Sequence, residues 1–334
     1  MPVGSKPLLP RKQSEPNLAR LTAYTPKWDD YELMDTGDAR KLERFGSFTL
    51  IRPEPQATWA RALPEDRWNA AHGEFHAGNR GQSGEWKFSK LVPSRWMLRR
   101  NNLIFWVEAA RSGHVGVFPD QAAHWDWMGE RIESAGYPIG MLSLFGHTGL
   151  ATLSAAAAGA KVTHVDASQP AVKRARENQE LSTLSDRPIR WISDDAFKFV
   201  TREGRRGNRY DAILLDPPRF GRGPGGEVWK LENSLPALLR RCREVLSPEP
   251  LLVIVNTYAT VVTRGDTARD AAKLKQLLHE TLDGLPARIR AGELNLVDSS
   301  GRKITQSIFV RADFERETQT AGTVTLNDGS GAPS

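Results

Sequence analysis

Residues 210–226 read YDAILLDPPRFGRGPGG, an apolar run that ends on an acid and two prolines ahead of a stretch rich in glycine and arginine. Proline fixes its own backbone and carries no N–H, so Asp216-Pro217-Pro218 presents a carboxylate and carbonyls, all of them acceptors. A rigid group of acceptors suits a reaction partner that brings an amine or a ring N–H. The glycine-rich stretch behind it reads as a flexible loop able to close over that partner.

Two further stretches carry chemistry of a different kind. LSLFGHTGLATLSAAAAGA ends an apolar run at Gly146 and opens a helical pattern near Thr148 and Gly149. Glycines there let backbone approach a ligand closely, and a helix N-terminus offers free N–H groups; a plain strand-to-helix turn is the other reading. Twenty residues on, THVDAS ends the next run at Asp166, where a carboxylate can accept both hydroxyls of a ribose. That pair of features fits a ligand with an adenosine. The pattern is G-x-x-G and lacks the G-x-G-x-x-G that admits a pyrophosphate. In SDDAF, Asp194 and Asp195 stand where a carboxylate can hydrogen-bond an adenine amine, and one of the two is equally placed to cap the helix that follows.

The elements that must position these residues follow from the pattern of apolar runs. YPIGMLSLFG, KVTHVDAS, RPIRWISDD, YDAILLDPP and PLLVIVNTYA are short apolar segments separated by helical patterns such as QPAVKRARENQEL and SLPALLRRCREVL. Strand–helix alternation with strands apolar on both faces predicts a parallel, doubly wound sheet, with ligands at the carboxyl ends of its strands. ARIRAGELNLVDSS and GRKITQSIFVRAD follow without a crossover helix and predict a terminal hairpin, giving seven strands in all. Residues 27–120 are aromatic and turn-rich, with six of the ten tryptophans, and predict a small antiparallel β-rich domain. The α/β domain is expected over 121–314. Residues 1–26, with five prolines, four Lys/Arg and one acid, read as a disordered basic arm, and 315–334 as a polar tail.

Composition excludes several classes. No 18-residue apolar run is present and no signal-peptide stretch opens the sequence, so the expectation is a cytoplasmic protein without membrane contact. One cysteine, Cys242, allows no internal disulfide or cysteine cluster, and the seven histidines form no metal-ligand pair, so no metal is expected. The net charge of +6 favours a polyanionic partner. Oligomeric state, monomer or homodimer, is not written in the sequence.

From about residue 31 to residue 313 the chain resembles the S-adenosylmethionine-dependent methyltransferase family that contains the bacterial large-subunit (23S) ribosomal RNA methyltransferases. LFGHTGLATL, HVDAS, SDDAF, LLDPPRFGRGPGGEVWKL and GHVGVFPDQAAHWDWM carry the likeness. It implies a Rossmann-like α/β fold, S-adenosyl-L-methionine as cofactor and RNA as partner. It also implies a cofactor pocket lined by Phe145, Gly146, Thr148, Gly149, Asp166, Ala167, Ser168, Asp195, Ala196, Phe197, Asp216 and Pro217. Phe118, Asp120 and Gln121 would reach it from the segment before the α/β domain, with a hinge contact as the alternative. Asp216 and Pro217 are the expected catalytic pair. Pro218, Arg219, Phe220, Arg222 and Asn256 are expected on the substrate side, where an arginine can hold a phosphate and a phenylalanine can stack on a base.

One departure bears on the reaction. Cytosine-5 members of that family carry a cysteine just after the fifth strand, because carbon 5 is not nucleophilic until a thiolate adds at carbon 6. This sequence has Asn256, Thr257 and Tyr258 there, and its cysteine lies in LLRRCREVL at a packing position. The expectation is direct transfer to a base nitrogen with Asp216 as proton acceptor. Two rivals stand beside it: an acceptor that is a protein or small molecule, and an RNA-binding module that keeps the cofactor fold without catalysis. GEWKFSKLVPSRWMLRRNN interleaves aromatic and basic residues, as an RNA-binding face does and as ordinary alternation in a small sheet also does.

Overall fold

The computed structural model describes residues 21–78, 84–258 and 267–314. Strand β1 (Leu21–Tyr24) precedes a β-rich region made of β2 (Tyr31–Gly37), β3 (Arg40–Phe45), β4 (Phe48–Pro53), helix α1 (Glu65–Asn69), β5 (Gly73–Ala77), β6 (Gly84–Phe88), β7 (Trp96–Arg100) and β8 (Leu103–Val107). A single 3-10 turn, Pro119–Gln121, leads into α2 (Ala122–Glu133). The alternating part then runs β9 (Gly140–Leu144), α3 (Leu150–Ala157), β10 (Lys161–Asp166), α4 (Gln169–Leu181), β11 (Ile189–Ser193), α5 (Ala196–Arg205) and β12 (Ala212–Leu215). It continues with β13 (Phe220–Arg222), β14 (Val228–Lys230), α6 (Leu231–Val245), β15 (Leu252–Tyr258), α7 (Thr267–Thr281), β16 (Ala287–Val297) and β17 (Lys303–Phe314).

The large sheet has the order β1-β16-β17-β15-β12-β9-β10-β11. β9, β10, β11, β12 and β15 are mutually parallel, while β17 runs antiparallel to both β15 and β16. The expected terminal hairpin is therefore present, but the sheet has eight strands rather than seven. The extra one, β1, lies within the segment expected to be a disordered arm and pairs parallel with Gly292–Asn295 of β16. Its four residues alternate in burial, a pattern too short to stand out beside the prolines and basic residues of the same segment. Gly292 makes the docking possible, since a Cβ there would lie 2.2 Å from the Leu21 carbonyl oxygen.

Strands with apolar side chains on both faces need cover on both. In β12, Ile213 and Leu215 pack with Phe199 of α5 and Leu238 and Cys242 of α6. Ala212 and Leu214 face the opposite layer, with Met128 of α2 and Ala155 of α3. β15 alternates in the same sense, Val253 and Val255 on one side and Leu252 and Ile254 on the other. This sandwich holds the strand ends rigidly, which a site built on them requires.

The β-rich region forms a five-stranded sheet in the order β2-β3-β4-β5-β6 and a separate β7–β8 hairpin. One pair departs from the antiparallel expectation: β4 and β5 run parallel. The chain crosses over through α1 between them, the kind of connection a parallel pair demands. Its core is not private to the region, for Trp28, Phe45, Leu98 and Phe105 share one cluster with Trp125 of α2 and Leu150 and Leu153 of α3. Among the described residues no helix is long and apolar enough to cross a membrane.

Candidate active site

Strand order reverses at β9, which is flanked by β10 on one side and β12 on the other. Turns leaving the carboxyl ends of two such strands diverge to opposite faces and open a crevice between them. A cavity of about 310 Å³ lies there, lined from β10 and the turn after it by Val165, Asp166, Ala167 and Ser168, and from the end of β11 by Asp194, Asp195 and Ala196. Phe145 and His147 line it after β9, Asp216 and Pro218 after β12, and Tyr258 at the end of β15. A smaller adjoining cavity of about 40 Å³ shares Phe145, His147 and Asp216 and adds Gly146, Thr148, Phe118 and Gln121.

The FGHTG turn is built for tight internal packing. Phe145 and His147 both adopt positive φ, 57° and 48°, uncommon for residues with side chains and a form of local strain typical of functional turns. A Cβ on Gly146 would sit 2.4 Å from the His164 ring, and one on Gly149, at φ 86°, would sit 2.8 Å from Ala175 Cβ. Both glycines thus make room for neighbouring side chains, and Gly146 also lines the smaller cavity. Thr148 is also committed inward, its hydroxyl donating to the Gly116 carbonyl at 2.7 Å. Three of the turn's N–H groups are occupied: Gly146 donates to Val165, Gly149 to Gly146, and His147 to Asp166 Oδ2 at 2.8 Å. A pyrophosphate would find these three donors already engaged.

Asp166 receives that bond on one oxygen and the Ser168 N–H on the other, also at 2.8 Å. Each oxygen keeps lone-pair capacity for a hydroxyl, and the two bonds fix the plane of the carboxylate. Burial pushes its pKa up, while the Ser168 and His147 N–H groups oppose the rise. Asp195 is the N-cap of α5, accepting from the Lys198 N–H at 2.9 Å. Asp194 accepts from the Asp195 N–H and pairs with Arg202. The cap expected of one of the two is therefore Asp195, and both carboxylates line the cavity. Phe197 lines neither cavity, standing 37% exposed on the first turn of α5.

After Pro218 the chain does not form the open loop expected from its glycines. It folds as the β13–β14 hairpin, with Phe220 opposite Lys230 and Arg222 opposite Val228. Trp229 holds the hairpin down: its indole Nε1 donates to the Pro218 carbonyl at 2.7 Å, and its ring lies 4.9 Å from that of Phe145. Gly221, Arg222 and Gly223 consequently reach the cavity wall. Arg219 turns away toward Glu232, at 3.6 Å, and Phe220 is 53% exposed beside the opening.

Asp216 is half-buried and opens onto both cavities, and Asn256 Nδ2 donates to its Oδ1 at 2.7 Å. Asn256 is itself fully buried and lines neither cavity, so its contact is with Asp216 and not with a substrate. Pro217 is buried and also lines neither cavity, which leaves it the shape of the turn. Withdrawal from water pushes the Asp216 pKa up to about 7, opposed by the Asn256 bond and reinforced by the charge of Asp120. Asp120, expected to meet the cofactor, lies behind the wall, where it accepts from the Ser307 hydroxyl at 3.1 Å. Burial raises it to about 6. Gln121 and Phe118 do reach the smaller cavity, and Phe118 packs edge-on against Tyr258 with centroids 5.8 Å apart.

The wall also contains residues not among those expected, His147, Trp229 and Tyr258 chief among them. Each sits inside or beside a motif, in FGHTG, GGEVWKL and VIVNTYAT, but nothing in its type announces a wall position. Burial, followed by the nearby charge of Arg174, lowers His147 to about 4, so its ring is neutral at pH 7.

A doubly wound sheet whose strand-end crevice offers a ribose-type carboxylate, rim carboxylates and a G-x-x-G turn defines an enzyme class that binds a nucleoside cofactor. The model of the S-adenosylmethionine-dependent methyltransferase family matches residues 56–287, and the chain belongs to that family, with S-adenosylmethionine as cofactor. Among solved structures, an S-adenosylmethionine-dependent methyltransferase from Agrobacterium tumefaciens is 39% identical with TM-score 0.82, covering 90% of this chain and 97% of that one. A methyltransferase complexed with S-adenosylhomocysteine is 18% identical with TM-score 0.64, covering 86% of this chain and 76% of that one, a likeness of fold. Among curated proteins, ribosomal RNA large subunit methyltransferase I of Klebsiella pneumoniae (strain 342) is 38% identical over 81 residues, 24% of this chain and 20% of that protein. Ribosomal RNA large subunit methyltransferase K/L of Hahella chejuensis (strain KCTC 2396) is 29% identical over 181 residues, 53% of this chain and 24% of that protein. The matched regions span only a fifth to a quarter of the length of these two curated relatives.

Proposed function

We propose that this methyltransferase acts on a base of ribosomal RNA, transferring the methyl group in line to a ring or exocyclic nitrogen. One observation carries the choice of atom: the carboxyl of Asp216 stands at the cavity wall with one oxygen held by Asn256 and a pKa raised to about 7. S-adenosylmethionine, when bound, supplies an electrophilic methyl group. Asp166 holds the ribose hydroxyls, and Asp194 or Asp195 accepts from the adenine amine. Asp216 then accepts the hydrogen bond of the target N–H through its free oxygen and takes the proton as the nitrogen becomes cationic. A base whose pKa lies near the working pH is well matched to that task. The two prolines fix the backbone behind it, Trp229 engages the Pro218 carbonyl, and the Asp216 carboxyl lines the cavity. A nitrogen carries its own lone pair, so orientation is the main contribution.

A cytosine-5 reaction needs a thiolate, and Cys242 lies in the core under α6 with its pKa raised by burial. RNA as substrate is supported by the names of the curated relatives, by the net charge of +6, and by Arg222 at the cavity wall with Phe220 outside it. The test is transfer of labelled methyl from S-adenosylmethionine into total RNA or lysate protein of a strain lacking the gene, followed by mass mapping of the ribosomal RNA. Label in an N-methylated base is expected. Label confined to protein overturns the substrate assignment, and label on carbon 5 of a pyrimidine overturns the mechanism. Asp216→Ala is expected to slow single-turnover transfer by about 10²–10⁴ at saturating cofactor.

A further inference from the structure

Behind Asp216 and away from the cavity, three side chains from three elements stand in sequence: the buried Asn256 on β15, the buried His124 on α2 and the half-buried Arg311 on β17. Arg311 Nε lies 3.0 Å from His124 Nδ1, and its Nη2 lies 2.6 Å from the same nitrogen and 2.9 Å from the Ala123 carbonyl. The guanidinium only donates, so His124 Nδ1 must be the acceptor. A neutral ring then carries its proton on Nε2, and the ring is neutral, because burial and the neighbouring Arg311 charge hold its pKa well below the ordinary value.

His124 Nε2 and Asn256 Oδ1 are both buried, and neither has a hydrogen-bond partner among the described residues. One is an obligatory donor and the other an acceptor, and both flank the same residue. The His124 ring stands edge-on to Phe309 with centroids 4.8 Å apart, and Asn256 pairs with Phe309 across the β15–β17 ladder. The Asn256 side chain is close enough to influence the ring, favouring its protonated form as an acceptor would. Leaving both groups unpaired would incur the full desolvation penalty of each.

We propose that Arg311, His124 and Asn256 form a one-way hydrogen-bond relay that fixes the Asn256 amide and so holds the Asp216 carboxyl in its accepting orientation. Arg311 donates to His124 Nδ1, His124 Nε2 donates to Asn256 Oδ1, and Asn256 Nδ2 donates to Asp216 Oδ1. Reversal of the amide would turn its carbonyl toward the carboxylate, and the relay forbids it. His124 and Arg311 are positioning residues, since they touch neither cofactor nor substrate. This rests on the reading of Asp216 as the acceptor of the target N–H.

The titratable and charged groups around Asp216 are Asp120 from the 3-10 turn, Tyr258 from β15, Arg222 from β13, and His147, Asp166, Asp194 and Asp195 across the cavity. Around His124 stands Arg311. Loss of the fixed donor leaves the Asp216 carboxylate less stabilised, so the pH midpoint of single-turnover transfer moves upward. His124→Phe is expected to do this, and to slow transfer on the order of tenfold, the usual scale for such supporting bonds. Affinity for S-adenosylhomocysteine is expected to stay within a few-fold. His124→Gln keeps an N–H donor at the Nε2 position and is expected to recover most of the rate and the original midpoint. In the unaltered protein, nitrogen-15 spectra, with the His124 signals assigned by their loss in His124→Gln, are expected to show the proton on Nε2. A proton on Nδ1, or a His124→Phe variant with unchanged rate and midpoint, overturns the relay while leaving Asp216 as acceptor. Normal turnover of Asp216→Ala overturns the acceptor reading instead.

Discussion

The indole Nε1 of Trp229 donates to the Pro218 carbonyl oxygen at 2.7 Å, folding the β13–β14 hairpin back onto the end of β12. The bond locks the second proline of the Asp-Pro-Pro turn, and the same ring forms a wall of the cavity against Phe145. Trp229→Phe keeps most of the apolar contact and removes the donor, leaving a partly buried carbonyl unsatisfied at about 1–3 kcal/mol. The expected result is a lower Tm and a lower kcat, with the Michaelis constant for RNA less affected. Unchanged kcat in a folded variant would detach the hairpin anchor from the chemistry.

Asp166 is held by two backbone N–H groups, and both its oxygens keep lone pairs for the ribose hydroxyls proposed to bind there. Asp166→Ala removes a charged acceptor, and hydrogen bonds to charged groups are worth about 1.5–3 kcal/mol. Calorimetry with S-adenosylhomocysteine is expected to register a loss of that size. NAD is expected not to bind either protein, because the turn is G-x-x-G rather than G-x-G-x-x-G and three of its N–H groups bond internally.

The raised pKa of Asp216 has a sign that stability can read. The carboxyl ionises at 3.8 in an unfolded chain and at about 7 when folded. Its protonated form is favoured by folding, so the contribution is fully present below 3.8 and is lost as pH rises through about 7. Asp216→Asn cannot ionise and escapes that loss. Its Tm is expected to exceed that of the parent by a few degrees at pH 8, with the gap closing toward pH 5, while transfer falls. A gap that does not change with pH would remove the desolvated charge as its cause.

How far the sequence speaks can be judged at particular residues. Asp166 and Asp216 were legible because each is an acid ending an apolar run, and topology alone carries such an end to the crevice. The glycines of FGHTG were legible as a turn but not in their purpose, since the His164 and Ala175 side chains that need the space lie in other elements. Glycine composition likewise concealed the β13–β14 hairpin, whose anchor is a single indole eleven residues beyond Pro218. Strand β1 went unread because four alternating residues carry little signal until a neighbour such as Gly292 accepts them.

Cys242 packs at 3% exposure among Leu238, Leu239 and Val245 on the inner face of α6. Cys242→Ser puts a hydroxyl into that apolar cluster, which costs about 1–3 kcal/mol by protein mutational data. Methyl transfer per folded molecule is expected to be unchanged. Total loss of transfer in a folded variant would restore a thiolate mechanism.

Arg219 and Arg222 leave the Asp-Pro-Pro turn on different errands. Arg222 lines the cavity, while Arg219 lies on the outer side within 3.6 Å of Glu232. Where the hairpin meets RNA, replacing both with Ala removes cations that displace condensed counterions from phosphate. The Michaelis constant for RNA is then expected to rise, and the slope of log affinity against log salt to shallow by about 0.7–0.9 for each phosphate no longer neutralised. Cofactor affinity is expected to change only within a few-fold, because Arg222 shares the cavity wall while Asp166 and the turn after β9 are intact. Of the two single variants, Arg222→Ala is expected to be the more severe, since Arg219 already has an acidic neighbour. The measurement is RNA affinity over a salt series for the parent, each single variant and the pair. An unchanged slope in the pair would move the phosphate-binding surface off the hairpin. The next place to look would then be the basic and aromatic residues of β6 and β7, where Phe88 and Met97 are exposed.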